Sequence, residues 1–200
     1  MPKLLFQDHG SYRLTSDDGR VIYVDPFKGK GYDMSADLIL VTHQHGDHNK
    51  IRRCAQKPDC RVITNEEALK GGGYNSFDVS GILIEAVEAY NKRHDPKLCV
   101  GYIITIDGIK VYASGDTSMT NQMETFAGRK FDYALFPGDG IANMGLDEAA
   151  ACAKLVGAKH NIIIHVIPDA LIRRKAEKWN APDKLILAPG QEIELIRGAE

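Results

Sequence analysis

Long apolar runs are missing from this chain. The N-terminal segment MPKLLFQDHG holds one lysine and three consecutive apolar residues, where a secretory signal needs about 7–15. Nothing approaches the roughly 18 apolar residues of a membrane span, so no membrane is expected among its partners. Cysteine is scarce: the four residues, Cys54, Cys60, Cys99 and Cys152, form no CxxC pair and no tight framework. That excludes a disulfide-stapled scaffold and points to reduced thiols in a cytoplasmic protein. An excess of charge of one sign is absent as well, with 25 Lys+Arg against 27 Asp+Glu and a net charge of −2. Duplex DNA and anionic membranes select for basic excess, so neither is expected as the main partner. A small anionic substrate held by two or three basic residues stays open.

What is present is average in composition: 44% hydrophobic and 26% charged residues over a length of 200. This excludes disorder and suits one domain over residues 1–200, large enough for a core without disulfides. A homo-oligomer is not visible in the pattern and stays open. In the first third, residues 12–15 and 20–24 flank an Asp18-Gly19 hairpin signal. Residues 38–42 (LILVT) are a short apolar run of the kind buried on both faces of a sheet. Further strands are expected at 61–64, 82–89, 100–106, 110–113, 133–136, 161–166, 185–188 and 192–196. Helices are expected at 49–56, 118–127, 146–156 and 168–179, the third stopped by Gly157 and the fourth opened by Pro168. Strands first and alternation later indicate a layered α/β domain.

The informative segment is Thr42-His43-Gln44-His45-Gly46-Asp47-His48, directly after the buried strand. Open α/β sheets place their sites at the carboxyl ends of strands. Two histidines at i and i+2 of an extended segment share a side and can share one ion. Gly46 permits a turn, after which Asp47 and His48 face a second ion. Imidazoles bind Zn²⁺ or Fe, and carboxylates add the charge that a second cation needs. With 7 His among 200 residues, HxHxDH arises by chance in roughly 7 chains per 10,000.

The rest of the chain can complete such a site. Asp116 follows the strand at 110–113 with Gly115 before it, which lets its carboxylate turn inward and bridge two ions; the alternative role is an N-cap for 118–127. His165 ends an apolar strand and suits the second ion. His94, in a polar loop, competes with His9 for the remaining place at the first. His160 reads as a surface residue.

These residues resemble the metallo-β-lactamase superfamily, and within it the small metal-dependent hydrolases around the ascorbate-6-phosphate lactonases. The likeness runs from His9-Gly10-Ser11 and Asp25-Pro26-Phe27 through HxHxDH, Gly115-Asp116-Thr117 and Pro137-Gly138-Asp139-Gly140 to His165. It implies a four-layer αββα sandwich and two divalent ions, zinc first, with manganese or iron as substitutes. It implies His43, His45 and His94 on one ion, Asp47, His48 and His165 on the other, and Asp116 between them. Asp25 resembles the family's acid behind a ligand imidazole. The implied chemistry is attack by a hydroxide formed from water between the ions, with Asp116 or Asp47 passing a proton to the leaving group. The zinc β-lactamases closest to penicillin chemistry carry Cys in place of Asp116, and 200 residues leave no room for the helical domain of a glyoxalase II or the insert of a long nuclease. A hydrolase of a small polar ester or lactone, phosphorylated or not, is the favoured expectation. A phosphodiesterase or nuclease, and a non-catalytic metal-binding sensor, are the alternatives. Basic residues beside the candidate ligands (Lys50, Arg52, Arg53; Lys92, Arg93, Lys97) suit an anionic substrate group or a solvated charged face.

Overall fold

The short apolar runs of the first third become the buried strands of one sheet in the computed structural model, which describes residues 1–166 and 171–198, while the two edge strands of that sheet are largely exposed. Its strands are β1 (Lys3–Asp8), β2 (Ser11–Thr15), β3 (Val21–Val24), β4 (Ala36–Val41), β5 (Gln56–Thr64) and β13 (Gln191–Glu194), in the order β13-β1-β2-β3-β4-β5. A second sheet has the order β12-β11-β10-β9-β8-β7-β6. Its strands are β6 (Ser76–Val79), β7 (Ile82–Glu88), β8 (Val100–Ile106), β9 (Ile109–Ala113), β10 (Tyr133–Pro137), β11 (His160–Ile164) and β12 (Lys184–Leu185). Leu38 and Leu40 of β4 enter the main core, while Ile39 and Val41 join Val21, Tyr23, Ala36 and Cys54 in a separate cluster on the other face. The Tyr102 hydroxyl of β8 donates across to the Val41 carbonyl at 3.0 Å, tying the sheets together.

Helices cover the second sheet from outside. In α2 (Leu146–Val156), the small buried residues Ala149, Ala150, Cys152 and Ala153 allow close approach to β10, and Gly157 ends the helix at φ 67°. After α3 (Ile172–Lys178), fully buried Trp179 meets Phe136 edge-on at 6.4 Å. Trp179→Ala is expected to cost about 3–5 kcal/mol, the range for emptying a large aromatic site, measured as a lowered denaturant midpoint; a loss below about 1 kcal/mol contradicts this packing.

The αββα order expected from the sequence is thus present, but thin on the first sheet's outer side. There the expected helix at 49–56 is replaced by a single 3-10 turn, Ile51–Arg53, and its last residue already belongs to β5. Arg53 explains part of this: its guanidinium lies 4.7 Å over the Tyr32 ring and donates to the Gly29 carbonyl, a tertiary anchor that overrides helix propensity. The helix expected at 118–127 is a 3-10 run, Asn121–Phe126, so Asp116 caps no α-helix. Three elements went unread: β1, β6 and the one-turn α1 (Asn65–Ala68). The start of the helix expected at 168–179 lies partly outside the described residues.

Strand direction positions the site. β1, β3 and β4 run parallel to one another, as do β7, β9, β10 and β11 in the other sheet. Their carboxyl ends meet at one edge, and seven loops there supply the candidate residues.

Candidate metal centre

From these loops, His9 follows β1, Asp25 follows β3, and His43, His45, Asp47 and His48 follow β4. His94 follows β7, Asp116 follows β9, Asp139 follows β10 and His165 follows β11. Three of them sit at positive φ without being glycine: His9 at 56°, Asp25 at 46° and His165 at 48°. Such backbone costs about 1–3 kcal/mol per residue and clusters at functional sites. Gly115, at φ 66°, serves the same end: a Cβ there would lie 2.7 Å from the Val100 carbonyl oxygen, so only glycine lets Asp116 turn in.

Donor atoms gather in three groups, each within 4.8 Å, the first two sharing His43: His43, His45 and His94; His43, His48 and Asp116; His9, Asp47 and His165. The first is the trio expected on one ion. Asp116 is central, its Oδ2 lying 3.5 Å from His48 Nε2, 3.4 Å from His94 Nε2 and 3.4 Å from His165 Nε2. Asp47 Oδ2 stands 3.7 Å from His165 Nε2 and 4.0 Å from His48 Nε2. His94 and His9, the alternatives left by the sequence, stand in different groups. His94 joins His43 and His45, whereas His9 Nε2 lies 3.2 Å from Asp47 Oδ2, on the other half. His160 stands apart, half-buried at the start of β11 with its ring 4.9 Å from Tyr133.

Each inner imidazole is fixed from behind. Asp25 accepts from the Thr42 N–H and hydroxyl, both at 2.7 Å, and from His48 Nδ1 at 2.8 Å; the Thr42 oxygen in turn accepts from His43 Nδ1 at 3.0 Å. His94 Nδ1 donates to Asn91 Oδ1 at 2.9 Å, and His165 Nδ1 lies 3.1 Å from Asp139 Oδ2. With Nδ1 turned to these partners, the Nε2 atoms face inward, that of His43 3.0 Å from His45 Nδ1. Those of His48, His94 and His165 are buried and have no hydrogen-bond partner. Bare nitrogens converging on a carboxylate leave a concentration of lone pairs that a cation satisfies, so the donor set fits divalent metal.

Charge states follow the same logic. Burial, with the neighbouring charge of His48, pushes His43 down to about 2, and burial also lowers His94. Against the pull of burial, Asp116 and Asp25 hold His48 well above the ordinary histidine value. Against the same pull, Asp139 and Asp47 lift His165 to about 9. Burial works against ionised Asp116 too, but His48, His165 and His43 keep it below the usual carboxylate range. In the metal-free protein, protons therefore stand where cations would. His165, raised from 6.5 to about 9, carries one at pH 7. That proton stabilises the metal-free fold fully below pH 6.5 and is lost as pH rises through about 9. Ion uptake at pH 7 is expected to release at least one proton per chain, seen as a calorimetric enthalpy that changes with buffer ionisation enthalpy. A buffer-independent enthalpy contradicts this.

Sequence reasoning missed Asn91 and placed Asp139 and Asn143 no nearer the chemistry than the pocket wall. The available signal was place: Asp139 sits between two glycines at a strand's carboxyl end, as Asp116 follows one. Among the described residues no helix is long and apolar enough to cross a membrane. The four cysteines are free, and burial pushes Cys54, Cys99 and Cys152 up to about 12, out of the reactive range.

The beta-lactamase superfamily domain family matches residues 3–165. A Pyrococcus furiosus protein named as a metal-dependent hydrolase is 31% identical over 98% of this chain and all of its own length. That alignment runs over 230 positions, so the relative carries extra residues within the matched span. A crystal structure from Parabacteroides distasonis is similar at TM-score 0.76 and 30% identity, covering 92% of this chain and 91% of that one. Igni18, a metallo hydrolase from Ignicoccus hospitalis, shares the fold at TM-score 0.74 and 20% identity over 96% of this chain and 97% of its own. The histidine and aspartate loops thus fall inside a match spanning both sheets, and the chain belongs to the β-lactamase superfamily.

Proposed function

We propose that this metal-dependent hydrolase holds two divalent cations around Asp116 and cleaves an ester or lactone of a small polar metabolite. The observation that carries the reading is the convergence of three partnerless, buried Nε2 atoms on one carboxylate oxygen at 3.4–3.5 Å. His43, His45 and His94 would hold one ion, Asp47, His48 and His165 the other, and Asp116 would touch both. When bound, such ions supply Lewis acidity, lowering the pKa of water and polarising a carbonyl or phosphoryl oxygen.

The chain's own residues divide the remaining work. Asp116 is 6% exposed and walled in by imidazoles, which suits holding ions rather than meeting substrate. Asp47 is 38% exposed, and His165 and His9 hold it ionised, well below the usual carboxylate range; we assign it the relay, accepting the proton that the attacking water loses and passing it to the leaving group. His9 steadies Asp47 from the side, its own ring packed 3.8 Å from that of His165. Phe27, 5.5 Å from His9, borders a cavity of about 670 Å³ lined by Asn49, Lys50, Ile51, Arg52 and Arg53. A larger cavity, about 780 Å³, lies between Lys110, Phe131 and Lys159, away from every candidate ligand. The Lys50 ammonium leans back over Gly46, 3.7 Å from where a Cβ would stand, so a phosphate or carboxylate on the substrate would meet it at the rim. Lys92, Arg93 and Lys97 lie exposed on the loop around His94.

The test is hydrolysis by protein loaded separately with Zn²⁺ and Mn²⁺ against lactones, carboxylic esters, phosphodiesters and thioesters. Turnover concentrated in lactones or esters is the expected result. Turnover confined to phosphodiesters moves the chain to the phosphodiesterase reading, and inertness with two ions bound contradicts the hydrolase reading of this site.

A further inference from the structure

The groups behind the imidazoles differ between the two halves of the centre. His43 and His94 lean on neutral partners, the Thr42 hydroxyl at 3.0 Å and the Asn91 amide at 2.9 Å. His48 and His165 lean on carboxylates, Asp25 at 2.8 Å and Asp139 at 3.1 Å. Asp139 is held in place on every side. Its Oδ1 accepts the N–H groups of Ile141, Ala142 and Asn143 at 2.5, 2.7 and 3.1 Å, and its Oδ2 accepts Asn143 Nδ2 at 2.8 Å. Asn143 also accepts from Asn91 Nδ2 at 3.2 Å, so one chain of hydrogen bonds passes from Asp139, the carboxylate beside His165, to His94. Its charged end lies at His165 and its neutral end at His94.

We infer that the two ion places are unequal by construction: the ion at Asp47, His48 and His165 binds first and is held hardest, with Asp139 as a positioning residue, while the ion at His43, His45 and His94 exchanges. This rests on the two-ion reading above. Carboxylates behind an imidazole raise its strength as a ligand and lock its orientation. The half around His165 has two such carboxylates and Asp47 besides its share of Asp116. The half around His43 has that share alone. Exposure points the same way, because His45 is exposed whereas His48 and His165 are buried.

Protein loaded with Zn²⁺ and dialysed against a weak chelator is expected to keep one ion per chain, counted by mass spectrometry. His45→Gln is expected to keep that ion and His165→Gln to lose it. Asp139→Asn is expected to weaken the retained ion about 10–100-fold and the exchangeable one by less than about 3-fold. Loss of the retained ion in His45→Gln with retention in His165→Gln overturns the inference, as does equal weakening of both ions in Asp139→Asn. Because His45 is exposed, its variant decides the matter even if the buried substitutions unfold the chain. A protein that never takes a second ion defeats the two-ion reading, while the same pair of variants still shows where the single ion sits.

Discussion

Asp116→Ala is expected to lower turnover by about 10²–10³-fold, the scale of removing one preorganised stabilising group from a reacting centre, and to leave no more than one ion per chain. The side chain contacts three imidazoles through a single oxygen, at 3.4–3.5 Å. Those imidazoles come from loops after β4, β7 and β11, so Asp116 is where the two sheets' contributions join. Removing it leaves His48, His94 and His165 crowded around an uncompensated space, and any ion still bound loses its shared ligand. Asp116→Asn separates charge from shape, since the amide keeps the volume and one oxygen. Its turnover is expected to fall nearly as far, because the amide supplies no charge to two cations. Ion content by mass spectrometry, read beside initial rates, checks both variants.

Asp25→Ala is expected to damage fold and centre together. The carboxylate is buried and takes three hydrogen bonds, from the Thr42 N–H, the Thr42 hydroxyl and His48 Nδ1. Breaking a buried charged pair by removing one partner costs about 3–5 kcal/mol, and three donors are stranded here. The backbone adds to the cost, because Asp25 sits at φ 46°, a conformation that alanine tolerates less well than aspartate. Loss of the acid behind His48 is also expected to weaken ion binding about 10–100-fold. Asp25→Asn keeps the shape and should recover part of the stability with less of the affinity. Melting with and without Zn²⁺ separates the two losses: a variant that melts like the parent in both conditions contradicts the role given to Asp25.

The centre was more legible in the sequence than the fold around it, for physical reasons. HxHxDH is dense in rare, chemically committed residues, and a buried strand before it announces a strand-end site. His165 stood out because an imidazole inside NIIIHV has to find a partner. The hydrogen-bond chain Asn91–Asn143–Asp139 was hidden, because its members are common loop residues whose meaning lies in contacts across 52 positions of sequence. His9 was ambiguous for a similar reason, since local sequence places it just before the strand at 12–15 but does not say which half of the centre it reaches. Among the elements, periodicity located β4, β8, β9, β10 and α2 nearly to the residue. It failed where tertiary anchors decide: residues 49–56 look helical, yet Arg53 is pulled onto Tyr32 and β5 claims the chain from Gln56. β6, Ser76-Phe77-Asp78-Val79, alternates over only four residues, too short a run to stand out without β7 beside it.

The most direct test of the account is to titrate metal-free protein with Zn²⁺ or Mn²⁺ and follow bound ions per chain and ester or lactone turnover in the same samples. The account predicts little turnover through the first equivalent and a steep rise with the second. Full turnover at one ion per chain, or none at two, contradicts it.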